Sequence, residues 1–254
     1  MKKLDLEKKE NIEINFWRDS PEEGPSKFTK ANFLNKTQEA SHLDYKLQKY
    51  KSIINNKTDV LEIGAGQGWA SCFTKKYYLP FAKFTVTDIS SYAVDSIKYW
   101  EDIYKVKIDQ SLACKSYEIP IADASFDLIF CYAAFHHFVK HKETLAELKR
   151  LLKPNGHIIF LYEPTSSSLF YKLYYKYVNW APHSTPEDVI VPKRVKKMCK
   201  DLNLYYVNKY DSHQTINRSL VTTLYFKFLK TFSFLKTILP SSSDLLISNS
   251  KIEI

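Results

Sequence analysis

Val60-Leu61-Glu62-Ile63-Gly64-Ala65-Gly66-Gln67-Gly68 decides the reading of this 254-residue chain: an apolar run ends on alternating glycines and passes directly into a helical pattern. Glycine admits backbone conformations closed to other residues, so a turn of this kind lets the main chain come close to a ligand. The first N–H groups of the following helix are left unpaired to meet it. Twenty residues after Gly68, Asp88 stands at the end of the next apolar run, Phe84–Val86. A carboxylate there can accept both hydroxyls of an adenosine ribose.

The same rhythm continues on either side. Phe126–Cys131 and His157–Leu161 are strand-like, whereas 69–78, 91–104 and 140–152 carry apolar residues at helical spacing. Strands alternating with helices imply βαβ units and a parallel sheet covered on both faces, hence a doubly wound α/β fold. Upstream, residues 1–57 read as an N-terminal arm and helix. Charged runs and the turn-rich Pro21–Ser26 form an arm or lid, and Leu34, Ala40, Leu43, Leu47, Tyr50 and Ile54 then recur at spacings that suit an amphipathic helix over 31–54. Residues 58–254 read as one domain with cap insertions near 165–200 and 215–240. Its later part holds a helix-like 189–202, a strand-like Leu204–Val207, a long apolar helical stretch 219–239 and a last strand near Leu245–Ser248.

Composition narrows the class. Hydrophobic residues make up 44% and charged residues 26%, as in an ordinary globular protein. Cys72, Cys114, Cys131 and Cys199 form no CxxC and have no histidines at metal-ligand spacing, so neither a disulfide framework nor a metal site is expected. The opening residues alternate in charge, unlike a signal peptide, and no apolar run is long enough to span a bilayer, so a cytoplasmic protein is expected. The net charge of +9 is uneven: residues 164–254 hold thirteen Lys and Arg against six Asp and Glu, whereas 58–163 are almost neutral. A basic late third suits an anionic substrate, a membrane surface or a nucleic acid, and equally a merely solvated surface.

The glycine spacing separates two cofactor classes. A dinucleotide fingerprint is GxGxxG, whereas here GxGxG is followed by Trp69-Ala70. Glu62, two positions before Gly64, can reach the cationic methionyl end of S-adenosylmethionine. On four blocks in order, VLEIGAGQG, TVTDIS, residues 119–138 and residues 145–164, the chain resembles the class I S-adenosylmethionine-dependent methyltransferases, specifically the type 11 group, from about Asp59 to Glu163.

The resemblance implies a seven-stranded, mostly parallel sheet of order 3-2-1-4-5-7-6 with the seventh strand antiparallel. It also implies S-adenosylmethionine held by Glu62, Gly64, Ala65, Gly66, Gly68 and Asp88, with adenine near Ile89 and Tyr117 and the sulfonium near Cys131–Tyr132. Where the family commonly has an Asp, this chain has Lys115, which can only donate. The adenine amine must then be accepted by the Ser116 hydroxyl, a backbone carbonyl or water.

Methyl transfer to oxygen or nitrogen needs an aligned nucleophile and, where required, a base. His136 and His137, after the fourth strand, are the candidate bases, although the pair also occurs as a structural part of the family block. Over the acceptor, Tyr171, Tyr174, Tyr175, Tyr177, Trp180 and His183 are placed to stack on a sugar or ring, with Lys172, Lys176, Lys193 and Arg194 near a phosphate or carboxylate. The competing reading is an amphipathic cap helix with snorkelling lysines. The expected acceptor is small or lipid-linked: a glycan intermediate, nucleotide sugar or quinol. Segment 219–239 suits simple packing against the sheet, a homodimer interface, a roof over a greasy substrate, or a peripheral membrane contact at the inner face.

Two alternatives remain. One is an RNA or DNA methyltransferase, against which stand the absence of an NPPY-type tetrapeptide and of an added binding domain. The other is a non-catalytic protein that binds S-adenosylmethionine.

Overall fold

The computed structural model describes residues 6–21, 28–180, 185, 187–211, 213 and 219–252. Its elements in chain order are α1 (Leu6–Asp19), α2 (Lys30–Lys49), α3 (Lys51–Ile54), β1 (Asp59–Ile63), α4 (Trp69–Tyr77), β2 (Lys83–Asp88), α5 (Ser91–Val94), α6 (Ile97–Tyr104) and β3 (Gln110–Ala113), followed by β4 (Phe126–Tyr132), α7 (His141–Leu151), β5 (Leu152–Thr165), α8 (Tyr171–Val178), α9 (Pro192–Asp201), β6 (Tyr205–Asp211), α10 (Leu220–Thr231) and β7 (Ser241–Ser248).

The strands form one sheet of order β3-β2-β1-β4-β5-β7-β6. The pairs β1–β2, β1–β4, β2–β3 and β4–β5 are parallel, and β7 runs antiparallel to both β5 and β6. This is the doubly wound α/β sheet expected, with its reversed strand beginning four residues earlier than Leu245.

Two apolar clusters, one on each face, explain why the central strands are apolar throughout. Successive side chains of a strand point to opposite faces. Val60, Leu128 and Phe130 join Leu43, Leu47, Trp69 and Trp100 in one cluster. Leu61, Ile63, Ile129 and Cys131 join Leu145, Leu148, Val195 and Cys199 in the other. Helix α2 therefore shares a core with the sheet.

The pattern over 31–54 breaks at Tyr50, whose φ of −106° and ψ of 24° end α2 before α3 begins. The expected helix 91–104 is split at Asp95–Ser96, where the Ser96 hydroxyl donates back to the Tyr92 carbonyl, 3.1 Å away, an alternative to a regular helical turn. Helix α10 stops at Thr231, and a 3₁₀ turn over Ser233–Thr237 completes the segment. Strand β3 has no apolar run to announce it, because at the sheet edge its side chains are exposed or half-buried.

Candidate functional site

A cavity of about 340 Å³ opens at the carboxyl ends of β1, β2 and β4. In open α/β sheets ligands bind at this end of the strands, beside the point where strand order reverses. Gly64, Ala65, Gly66, Asp88, Ile89, Ser116, Tyr117 and His137 line it, so residues far apart in sequence converge on one space.

The turn after β1 is built as the glycines require. Gly64, Gly66 and Gly68 have φ of +60°, +52° and +71°, in the left-handed region. At Gly66 a β-carbon would stand 2.8 Å from the Trp17 ring, and the Gly66 N–H donates to Asp88 Oδ2 at 2.8 Å. The Ser90 N–H holds the other carboxylate oxygen at 2.9 Å, so Asp88 is fixed across the turn. Burial pushes the Asp88 carboxyl up to about 6, with those backbone donors opposing the rise.

Other expected residues lie outside the lining. Glu62 is buried beneath the turn, where the Ser71 N–H and hydroxyl both donate to it. Its carboxyl is pushed up to about 8 by burial. A side chain spent on the start of α4 stabilises the turn and does not face the cavity. Gly68 is the residue before α4, packed against Ile97. Cys131 is fully buried, with its thiol directed at Glu163, 3.7 Å away, because alternate residues of β4 face the opposite cluster.

His136 is buried too. Its Nδ1 lies 2.8 Å from Glu163 Oε2, and Glu163 also accepts from the backbone N–H groups of Ala134, Phe135 and His136. Burial disfavours the charged imidazole, but the Glu163 carboxylate outweighs it and raises the His136 pKa. His136 thus anchors the turn that presents its neighbour. His137 faces the cavity, its Nδ1 without a hydrogen bond among the described residues and 3.7 Å from Glu13 Oε2. Burial and the adjacent His136 hold its pKa well below the usual histidine range.

Sequence reasoning missed the contribution of α1. Glu10, Glu13 and Trp17 recur at spacings of three and four, the spacing of one helix face, and all line the cavity. Glu10 accepts from the Tyr117 hydroxyl at 2.6 Å and pairs with Lys115 Nζ at 3.1 Å. Burial, then the charge of Asp88, pushes the Glu13 carboxyl up to about 7. Ser116, expected to accept from adenine, has its hydroxyl 2.8 Å from that of Thr144.

The far wall combines Asn35, Lys36, Glu39, Trp69, Tyr132 and Tyr162, with the Tyr132 hydroxyl donating to Glu39. Ala133 and Tyr162 adopt φ of +51° and +62°, strained for non-glycine residues, where β4 and β5 meet the cavity. The Tyr162 N–H is held by Asp244 Oδ1 at 3.1 Å. His136, His137 and Glu187 place one ligand atom each within 4.8 Å of one another, an arrangement able to hold a metal ion. Glu187 lies fifty residues from His137, so no spacing pattern in the sequence links the three. His183 lies outside the described residues.

Residues 61–160 match the family model described as a methyltransferase domain. An uncharacterized methyltransferase of Schizosaccharomyces pombe is 31% identical over 124 residues, 46% of this chain and 43% of that protein. A demethylmenaquinone methyltransferase of Deinococcus radiodurans is 38% identical over 64 residues, 24% of this chain and 27% of that protein. The chain thus spans less than half the length of these curated relatives. The geranyl diphosphate C-methyltransferase of Streptomyces coelicolor A3(2), solved with Mg2+, geranyl diphosphate and S-adenosyl-L-homocysteine, superposes with a TM-score of 0.65. It is 10% identical, covering 84% of this chain and 79% of that one, and shows the shared fold.

Proposed function

We propose that the chain is a class I, type 11 S-adenosylmethionine-dependent methyltransferase whose cavity holds the cofactor and transfers the methyl group to a small or lipid-linked acceptor, a reading supported by the match of residues 61–160 to a methyltransferase-domain model. The observation that carries this is the convergence of the Gly64–Gly66 turn and the Asp88 carboxylate on one cavity that ends at His137 and Tyr132. Asp88 takes the ribose hydroxyls. Ile89 and Tyr117 flank adenine, and Glu10 supplies the acceptor for its amine that Lys115 cannot. Glu13 and Asp88 complement the cationic sulfonium and amino groups. No direct cofactor contact is assigned to Glu62, Gly68, Cys131 or His136, which shape the turns beneath.

In transfer, an acceptor lone pair attacks the methyl carbon while the carbon–sulfur bond breaks and its electrons stay on sulfur, leaving neutral S-adenosylhomocysteine. The proton lost by an oxygen or nitrogen acceptor passes to His137, kept neutral by its surroundings, or to Glu13, whose pKa near 7 suits a general base. The acceptor enters past Tyr132, Tyr162 and Lys36. A demethylmenaquinone methyltransferase among the relatives supports an acceptor of the quinol kind.

Calorimetry with S-adenosylmethionine, S-adenosylhomocysteine and NAD, followed by transfer assays on sugars and quinols, tests the proposal. Micromolar binding of the first two and none of NAD is expected. Preference for NAD overturns the cofactor reading, and cofactor binding without transfer to any acceptor supports a binding protein instead.

A further inference from the structure

Helices α8 and α10 show solvent the side chains that a helix ordinarily hides. Around α8, Leu169, Leu173, Tyr177 and Trp180 are all exposed, Trp180 to 85%, and their spacings of four, four and three place them on one stripe. Lys172 and Lys176, also exposed, stand one position away. On α10 and its capping residue, Leu220, Leu224, Phe228 and Phe232 repeat every four residues on the outer face, with Leu220 74% exposed. Lys227 and Lys230 flank that stripe. The opposite side of α10 fastens it to the protein, through fully buried Leu229 and the Tyr225 hydroxyl donating to the Pro240 carbonyl at 2.6 Å.

The two helices belong to one roof. Burial holds the Tyr174 phenol on α8 above the ordinary phenol range, and the nearby phenols of Tyr225 on α10 and of Tyr162, which lines the cavity, add to the rise. The Ser167 hydroxyl, just before α8, donates to the Ile238 carbonyl just before β7. Exposed Phe234 and Ile238 extend the apolar surface past the end of α10. Neither 169–180 nor 219–239 contains an acidic residue, while together they carry Lys172, Lys176, Lys227, Lys230 and Lys236.

So many large apolar side chains exposed along two helices are rare on a soluble monomer and mark a contact with something else. Charge selects the occupant. A second copy joined through this face would set lysine against lysine across a two-fold axis, with no carboxylate in either segment to neutralise them. A nucleic acid would use the lysines but leave the leucines and phenylalanines in water. An anionic bilayer accepts both, acyl chains against the apolar stripes and headgroups against the lysines, with a tryptophan at the interface. No described helix is long and apolar enough to cross a membrane.

We propose that the solvent faces of α8 and α10, with the turn that follows α10, are a membrane-docking surface selective for anionic lipid. Docked, the roof lies on the bilayer and the acceptor side of the cavity opens beside it. The surface is independent of the methyl-transfer reading, because vesicle binding needs neither cofactor nor acceptor.

The test is co-sedimentation of the full chain with vesicles of phosphatidylcholine alone or with phosphatidylglycerol added, at low and high salt, with cofactor affinity followed in parallel by calorimetry. Binding to the anionic vesicles at least about tenfold tighter than to neutral ones, weakened by salt, is expected. Leu224→Glu with Phe228→Glu should abolish it, Lys227→Glu with Lys230→Glu should erase the preference for phosphatidylglycerol, and cofactor affinity should be unchanged in both. In the unsubstituted protein, anionic vesicles should shift tryptophan emission to the blue, and Trp180→Phe should remove that shift, a readout that does not depend on how well the charged variants fold. Failure of the unsubstituted protein to sediment with anionic vesicles while it still binds cofactor overturns the proposal and leaves the enzyme reading intact. So does a dimer in light scattering that Leu224→Glu with Phe228→Glu disperses.

Discussion

At Gly66 the backbone turns with φ of +52°, a β-carbon would stand 2.8 Å from Trp17, and the N–H points at Asp88. Gly66→Val should therefore abolish cofactor binding in calorimetry while circular dichroism reports a retained fold. Asp88→Ala removes a charged acceptor and should weaken binding by about 1.5–3 kcal/mol. Unchanged affinity in both variants would refute the assigned site. Glu13 lies 3.7 Å from His137 with its pKa raised to about 7 by burial. If it takes the acceptor's proton, Glu13→Gln should lower turnover by about 100-fold or more. The same variant should change cofactor affinity much less, and the acidic limb of the rate–pH profile should be lost with it. A profile that keeps this limb would transfer the role to His137.

At the level of elements, α2 connects the N-terminal segment to the last strands. Lys46, fully buried, donates to Asp211 on β6 at 2.9 Å and to Asp244 on β7 at 2.8 Å, and the Tyr50 hydroxyl donates to Asp244 at 2.7 Å. Asp244 in turn holds the Tyr162 N–H, so the strained cavity wall on β5 depends on a lysine more than a hundred residues away. Lys46→Met leaves two buried carboxylates short of a partner and should cost about 3 kcal/mol in urea unfolding, towards the lower end for a broken buried pair because Lys49 still reaches both aspartates. Loss of well under 1 kcal/mol would mean that Lys49 or water carries the network.

For the whole molecule, the balance of buried carboxyls sets a pH dependence. Burial raises Glu13 to about 7, Glu62 to about 8 and Asp88 to about 6, so between about pH 4 and 8 the folded chain holds protons that the unfolded chain has released. Stability from these groups is present at the acidic side of that window and is lost as pH rises through it. The protein without cofactor should melt at a higher temperature at pH 6 than at pH 8. Glu13→Gln should flatten the slope by roughly 1–2 kcal/mol. S-adenosylmethionine, a cation placed beside Glu13 and Asp88, should reduce the same slope by favouring their charged forms. A melting temperature that rises from pH 6 to pH 8 without cofactor would show that other groups dominate.

The apolar strand periods, the glycine turn, Asp88 and the basic late third were all legible in the sequence, because each is a local pattern or a composition. The sheet order and the reversed last strand came with the family resemblance, and the structure has both. What only the tertiary structure decided concerns direction and convergence. Glu62 sits two residues before the first glycine, yet the pleat turns its carboxylate towards Ser71 and away from the cavity. His136 and His137 are adjacent in sequence, but one is bound to buried Glu163 and the other faces the cavity. Glu10, Glu13 and Trp17 look in sequence like one face of a charged arm, and they become cavity residues because α1 is laid across the ends of the strands. Side-chain periodicity fixes which residues share a face, whereas the packing of distant elements fixes what that face meets, and no local pattern encodes the second.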